Sequence, residues 1–293
     1  MEKITVKESG ERLDNYLSKY LEITRSQIKK NINNIYINNN HEKSGYLLKE
    51  NDVITYEFKE EEIKPENIKL DIIYEDNDII VINKQNGLVV HPGAGRSNNT
   101  LVNALMYYSK ELSDINGEYR PGIVHRIDAY TTGLLVVAKN NRSHNILADE
   151  IKNKKAKRKY LALVWGNITN SSGTIDAPIG RDPNNRLKMK VTDINGKQAI
   201  THFKVLKRFK RACLLELELE TGRTHQIRCH LEYIGYPIVN DPVYGNHKLI
   251  DDSGQALHAF ELQLIHPTTN EVMTFNAKTP ECFNKILNLL EAE

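Results

Sequence analysis

The amino-acid sequence predicts an α+β fold with antiparallel-type strands and scattered helices, and three observations carry that expectation. From Ile68 onward, short strand and helix patterns alternate irregularly, without the regular repeat of a doubly wound sheet and without internal repetition. Leu215, Leu217 and Leu219 alternate with Glu216, Glu218 and Glu220, the mark of a strand with one apolar and one wet face. Phe283, Ile286, Leu287 and Leu290 recur at helical spacing after Thr279-Pro280-Glu281, which reads as N-cap, N1 and N2 of a closing helix.

Taken in order, the elements begin with Leu13, Tyr16, Leu17 and Tyr20, one face of a first helix. Thr24 can cap a second helix whose inner face carries Ile28 and Ile32. Arg25 and Lys29 share its outer face with Lys30 beside them, a small basic ridge at phosphate-contact spacing. Strands follow at Ile35–Ile37 and Val53–Phe58, separated by an Asn run. Helix, helix, strand, strand with a basic helix face resembles the S4 RNA-binding domain. Asn39 and Asn51 stand where that family often has Gly, and Asn tolerates the left-handed backbone such turns use. The resemblance implies a small α/β RNA-binding domain over residues 1–58. The charged, Pro-containing run over 59–67 reads as a linker, which leaves 68–293 as the main domain. Further along, Leu134–Ala138 reads as a strand, and Ile146, Leu147 and Ile151 fit a short helix after Ser143.

Bulk properties narrow the class. The net charge is only +2, so a nucleic-acid surface must come from local clustering rather than from a polycationic chain. Cys213, Cys229 and Cys282 form no CxxC pair and cannot all be paired within the chain, which points to a reducing compartment. The N-terminus is charged and lacks an apolar signal core, and no apolar run is long enough for a bilayer. A cytoplasmic protein without membrane association is expected.

One run concentrates the polar chemistry. Arg120–Lys139 reads RPGIVHRIDAYTTGLLVVAK, with an Arg, an Asp and two Thr crowded between apolar segments. Polar groups so placed must be satisfied or used. On the pattern alone, a capped turn in which Asp128 and Thr131 bond backbone amides stands level with a catalytic loop. The run resembles the HRLDxxTSG motif of the RluA family of RNA pseudouridine synthases. Lys84–Gly95 resembles the family's KPxGxxVHP stretch, Lys159–Val164 its active-site Tyr strand, and Thr221–Arg228 its active-site Arg segment. Gly235–Ile238, Asp241–Gly245 and Leu257–Ala259 complete the series in the same order. Gln85 replaces the usual Pro, Ala129-Tyr130 a commonly charged pair, and Thr132 a Ser.

The resemblance implies a catalytic domain with a central, mostly antiparallel mixed sheet flanked by helices. It implies that uridine in RNA is isomerised to pseudouridine without metal, redox agent or other cofactor. Asp128 is then the nucleophile or base. Tyr160 is expected to stack on the target base. Arg228 is the cation that holds the carboxylate ionised. The Arg228 position also follows from the local pattern. A helix capped by Thr224, with Ile227, Leu231 and Ile234 inward and Gly235 at its end, puts Arg228 at the edge of a buried stripe. A guanidinium there needs an anion. A buried uridine must be flipped out, and the family resemblance gives Arg126 the vacated space, with His125 beside it helping or only packing. Thr131 and Thr132 are expected to hold the turn at the substrate, and Arg223 to meet phosphate. The run over 152–159 holds six Lys or Arg, among them Lys154, Lys155, Lys157 and Arg158, and is expected to be a phosphate track.

Three other readings compete. His225, Cys229 and His230 are close enough along one helix to suggest a metal site. A base-excising glycosylase would also use a carboxylate and a flipped base, but would release free uracil. A non-catalytic RNA-binding protein would use the S4-like part and the basic run alone. The synthase reading, with large-subunit ribosomal RNA as the partner and a monomeric enzyme, is the expectation taken into the structure.

Overall fold

Short apolar runs between Asn-rich turns build the N-terminal unit, Met1–Glu62, one of two compact units in the chain. The computed structural model describes residues 1–293 apart from 22, 24, 58–62, 93–97, 116 and 118–120, and residue 26 by its backbone alone. Thr24, Phe58, Gly93, Gly95, Arg120 and part of the expected linker therefore lie outside the described residues. The unit contains β1 (Glu2–Thr5), α1 (Leu13–Tyr20), α2 (Arg25–Lys30), β2 (Ile35–Ile37), β3 (Asn40–His41) and β4 (Val53–Tyr56). Leu13 and Leu17 of α1 and Ile28 of α2 are buried against Ile35, Ile37 and Ile54 of the sheet. Tyr20, expected on the inner face, is 59% exposed, because the short helix turns its last residue past the edge of this small core. The strands run in the order β1-β4-β2-β3 and all pair antiparallel. Strand β1 has no forerunner in the sequence pattern: only Ile4 of its four residues is buried, too little for a period to show.

The asparagines explain the turns. Asn38 and Asn39 join β2 to β3 with φ of 50° and 68°, and Asn51 precedes β4 with φ of 69°. Asn substitutes for Gly there because its short polar side chain tolerates the left-handed region. Arg25, Lys29 and Lys30 are exposed along α2, with Arg25 Nη1 donating to Asn15 Oδ1 at 3.1 Å.

The second unit, Ile63–Glu293, holds β5 (Ile72–Glu75), β6 (Ile79–Lys84), α3 (Leu101–Tyr108), β7 (Thr132–Ala138), α4 (Asn141–Lys152), β8 (Lys157–Trp165) and β9 (Ser172–Asp176). It continues with β10 (Ile179–Arg181), β11 (Met189–Val191), β12 (Ile200–Arg208), β13 (Ala212–Leu219), α5 (Gln226–Tyr233), β14 (Leu257–Ile265), β15 (Val272–Asn276) and α6 (Glu281–Glu291). Nine strands form one sheet in the order β5-β6-β7-β14-β8-β13-β12-β9, with β15 on β14. Among the described residues only β7 and β14 pair in parallel within this sheet, so it is mixed and mostly antiparallel as expected.

Burial alternates across this sheet. Ile80, Ile82, Leu135 and Val137 face a core shared with Leu101 of α3, Ile227 and Leu231 of α5, and Phe283 and Ile286 of α6. Ile79, Val81, Leu134 and Val136 face the other way, against Leu147 of α4. Strands buried on both faces read as unbroken apolar runs, which is why Leu134–Ala138 shows no alternation.

Three helix starts differ from the sequence expectation. Asn140, not Ser143, caps α4 by accepting from the Ser143 amide, and the buried Ser143 hydroxyl donates to Asp78. Pro280 occupies the N-cap position of α6, one residue later than expected, and Thr279 bonds the Asn284 side chain instead. His225, not Thr224, precedes α5, with φ of 55° and no side-chain cap. Gln226 compensates: its Oε1 accepts from the Arg223 amide and the Thr221 hydroxyl. The far end follows expectation, with Gly235 at φ 84° donating to Glu232.

Gly133 sits where the parallel pair β7–β14 begins, at φ 106°, and a Cβ there would stand 2.1 Å from the Ala259 carbonyl oxygen. No side chain fits without moving the start of β7 and the loop before it. Gly133→Ala is expected to lower the unfolding free energy by about 3 kcal/mol or more. Urea denaturation measures it, and an unchanged midpoint would contradict the close approach.

Candidate active site

The loop before β7 carries Asp128, and the surrounding fold fixes its shape. The Thr131 amide donates to the Asp128 carbonyl at 3.1 Å, closing a turn. The Thr131 hydroxyl accepts from Gln255 Nε2 at 3.1 Å, and the Thr132 hydroxyl bonds His258 Nδ1 at 2.8 Å. Both threonines are buried. They hold the turn, as expected; Thr131 also lines the pocket with Asp128, while the Thr132 hydroxyl is engaged by His258. Lys84, 1% exposed at the end of β6, donates to the carbonyls of Gln85, Leu88 and Ala129 at 3.0, 2.9 and 2.8 Å. Burial pushes its ammonium down to about 7, with nearby Asp128 opposing the shift. This lysine ties the loop to β6 from a position the sequence reading had not singled out. Tyr130 lies against Gly254, where a Cβ would come 2.4 Å from the ring, so the departure at that position has a seat built for it.

Arg228 meets two carboxylates. Its Nη1 donates to Asp128 Oδ2 at 3.1 Å, and its Nε and Nη2 donate to Asp241 Oδ2 and Oδ1 at 2.7 and 2.8 Å. Burial alone would lower the guanidinium pKa, but Asp241 and Asp128 outweigh it and the net shift is upward. Asp241 Oδ1 also accepts the amides of Val243 and Tyr244, and the Tyr244 ring lies 4.9 Å beneath the guanidinium. Asp241 is the anion the sequence argument required without naming. An Asp ahead of Pro-Val-Tyr-Gly signals a side-chain-capped turn, but nothing local ties it to Arg228.

Strand β8 supplies the opposite wall. Tyr160 is buried between Leu217 of β13 and Ala259 of β14. Burial raises its phenol above the ordinary value, Arg158 opposing and Asp128 reinforcing, so the hydroxyl stays protonated. Period-2 alternation puts Arg158 on the same face as Tyr160. Within the expected phosphate track Arg158 therefore faces inward: it is 6% exposed and lines the Asp128 pocket. Its Nε has no hydrogen-bond partner among the described residues. Gly222 leaves it room, since a Cβ there would fall 2.9 Å from Nη1.

The remaining candidates divide. Arg126 and Arg223 line the pocket, Arg223 anchored through Nε to the Gln198 carbonyl at 2.9 Å. His125 does not reach it: its Nε2 accepts the Val136 amide at 3.1 Å, and burial, with Arg158 near, pushes the ring down to about 3. Lys155 and Lys157 are exposed, whereas Lys154 pairs with Glu220 at 2.5 Å. Arg25, Lys29 and Lys30 belong to the other unit. His225, Cys229 and His230 diverge. His230 bonds Thr201 and the Ala177 carbonyl through its two nitrogens, Cys229 is buried with its thiol pushed up to about 12, and His225 alone faces Asp128. Chemically, the pocket combines a fixed carboxylate, a buried aromatic, and three arginines without a carboxylate partner among the described residues.

The family model described as RNA pseudouridylate synthase matches residues 78–233. The uncharacterized RNA pseudouridine synthase YlyB of Bacillus subtilis (strain 168) is 46% identical, over 97% of this chain and 95% of its own. Ribosomal large subunit pseudouridine synthase D of Buchnera aphidicola subsp. Schizaphis graminum is 41% identical, over 97% and 95%. Among solved structures, human RNA Pseudouridylate Synthase Domain Containing 1 superposes with a TM-score of 0.58 at 25% identity, over 77% of this chain and 96% of the other. The chain belongs to the RNA pseudouridylate synthase family.

Proposed function

We propose that this enzyme converts uridine to pseudouridine in large-subunit ribosomal RNA, working as a cytoplasmic monomer. The observation that carries the reading is the carboxylate of Asp128, one oxygen held by Arg228 and the other left to the pocket beside Tyr160. In this reaction the N-glycosidic bond breaks, uracil turns in the pocket, and C5 joins the ribose C1′. Asp128 attacks or deprotonates the substrate, Arg228 keeps it ionised, and Tyr160 stacks on the base, worth about 1–3 kcal/mol. Arg126 fills the space of the flipped-out uridine. Arg158, a buried cation, awaits an anion, and a substrate phosphate satisfies it together with Arg223, Lys155 and Lys157.

The ribosomal partner rests on the relatives named ribosomal large subunit pseudouridine synthase D, and on the basic ridge of α2 in the S4-like unit. No helix among the described residues is long and apolar enough to cross a membrane.

Asp128→Asn is expected to abolish pseudouridine formation while RNA binding persists, as read by nucleoside analysis and a binding titration; full turnover by the variant would sink the assignment. Replacing Arg25, Lys29 and Lys30 together by Ala is expected to weaken RNA binding and to reduce the slope of log affinity against log salt by up to about 3. An unchanged salt slope would remove α2 from the RNA surface.

A further inference from the structure

The glycosidic bond breaks and re-forms at C1′ of the ribose, so the carboxylate that serves the reaction stands beside that carbon. Asp128 gives one oxygen, Oδ2, to Arg228. Its other oxygen, Oδ1, faces His225 Nε2 at 3.9 Å, on the wall of the same pocket. That separation is too long for a hydrogen bond. It leaves room for a hydrogen-bonding atom of the substrate between the carboxylate and the ring.

What the ring offers to that atom is fixed on its far side. His225 Nδ1 lies 3.0 Å from the Tyr244 hydroxyl, which also lies 2.8 Å from the Met189 amide and 3.2 Å from the Met189 carbonyl oxygen. A hydroxyl has one proton and two lone pairs. The amide only donates and the carbonyl only accepts, so the hydroxyl proton goes to the carbonyl and one lone pair receives the amide. The second lone pair accepts Nδ1–H of His225. One arrangement satisfies all three contacts, and it leaves Nε2 as an acceptor toward the pocket. Burial holds the ring below the ordinary histidine value, with Asp128 and Asp241 opposing and Arg228 and Arg126 assisting. The backbone of His225 stands at φ 55° at the entry to α5, an uncommon conformation for a residue with a Cβ.

An unprotonated ring nitrogen beside a carboxylate makes two acceptors and no donor, so the atom that fits between them carries a proton. Within an RNA chain the 3′ and 5′ oxygens are esterified, which leaves the target uridine two donors, uracil N3–H and the ribose 2′-hydroxyl. N3–H points away from the sugar. The 2′-hydroxyl sits one carbon from C1′. We infer that His225 Nε2 accepts the 2′-hydroxyl of the target uridine and so confines the reaction to ribose, an assignment that rests on the pseudouridine reading of this site. Oδ1 of Asp128 is the oxygen the reaction uses, and the hydroxyl proton turns to the nitrogen instead. A deoxyribose in the same place leaves Nε2 unpaired against a carboxylate, which penalises DNA. His225 is then a specificity-determining residue whose ring takes no proton during the reaction.

The test removes a single oxygen. A synthetic fragment of large-subunit ribosomal RNA spanning a uridine that the enzyme modifies is made all-ribose, or with 2′-deoxyuridine at that one position. With the intact enzyme, kcat/KM for the deoxy target is expected to fall about 10–100-fold. His225→Gly suits the left-handed backbone and lacks the ring. In that variant the ratio between the two substrates shrinks by about fivefold or more, because only the ribose substrate had a partner to lose. A purely structural role would slow both substrates alike and keep the ratio. Tyr244→Phe keeps the aromatic ring beneath Arg228 but releases Nδ1, and the ratio falls by a smaller factor. Equal kcat/KM for both substrates with the intact enzyme overturns the assignment, and so does an unchanged ratio in His225→Gly. If His225→Gly does not fold, an unchanged ratio in Tyr244→Phe overturns it equally. An intact enzyme that modifies no ribosomal uridine overturns the functional reading itself, a separate result.

Discussion

Arg228 joins two carboxylates of different fate, and the site depends on that asymmetry. Asp241 is fully enclosed, doubly bonded to the guanidinium and capped by two backbone amides, so it can do nothing but anchor. Asp128 receives a single bond from the same group and keeps its other oxygen in the pocket. A buried ion pair adds little net stability, but removing one partner costs about 3–5 kcal/mol because a charge is left uncompensated. The cluster is therefore held together strongly while contributing little to folding. What it supplies is a carboxylate with one defined direction of approach.

The rest of the fold serves to bring those charges to one place. Asp128 and Arg228 are a hundred residues apart. The sheet closes that distance, because β7, β14, β8 and β13 are neighbours and the loop before β7 and the turn after β13 open at the same end. Gly133 permits the close parallel approach, Lys84 pins the loop from β6, and Tyr244 supports both Arg228 and His225.

Much of this is legible in the amino-acid sequence alone. Asp128, Tyr160 and Arg228 stand in motif segments whose order marks them, and the structure brings all three to one pocket. The α+β class followed from Leu-Glu alternation that β13 reproduces. Arg158 stood in the expected phosphate track, but its burial was not legible there: nothing in a run of six basic residues marks one as inward, yet β8 alternation turns it into the pocket with Tyr160. Asp241 was missed because an ion-pair partner 13 residues away across a turn leaves no periodic trace. His225 was read as a metal candidate because spacing along a helix was counted, whereas its left-handed backbone places it before the helix, facing Asp128. Strand β1 carries one buried residue and is set by pairing with β4, a tertiary effect.

Pseudouridine mapping across all RNAs, in cells with and without this protein, tests most directly whether the Arg228-held carboxylate makes pseudouridine. A small set of uridines in large-subunit ribosomal RNA is expected to lose the modification without the protein, to regain it with the intact chain, and to stay unmodified with Arg228→Gln. Identical maps in all cells, or full restoration by Arg228→Gln, would contradict it.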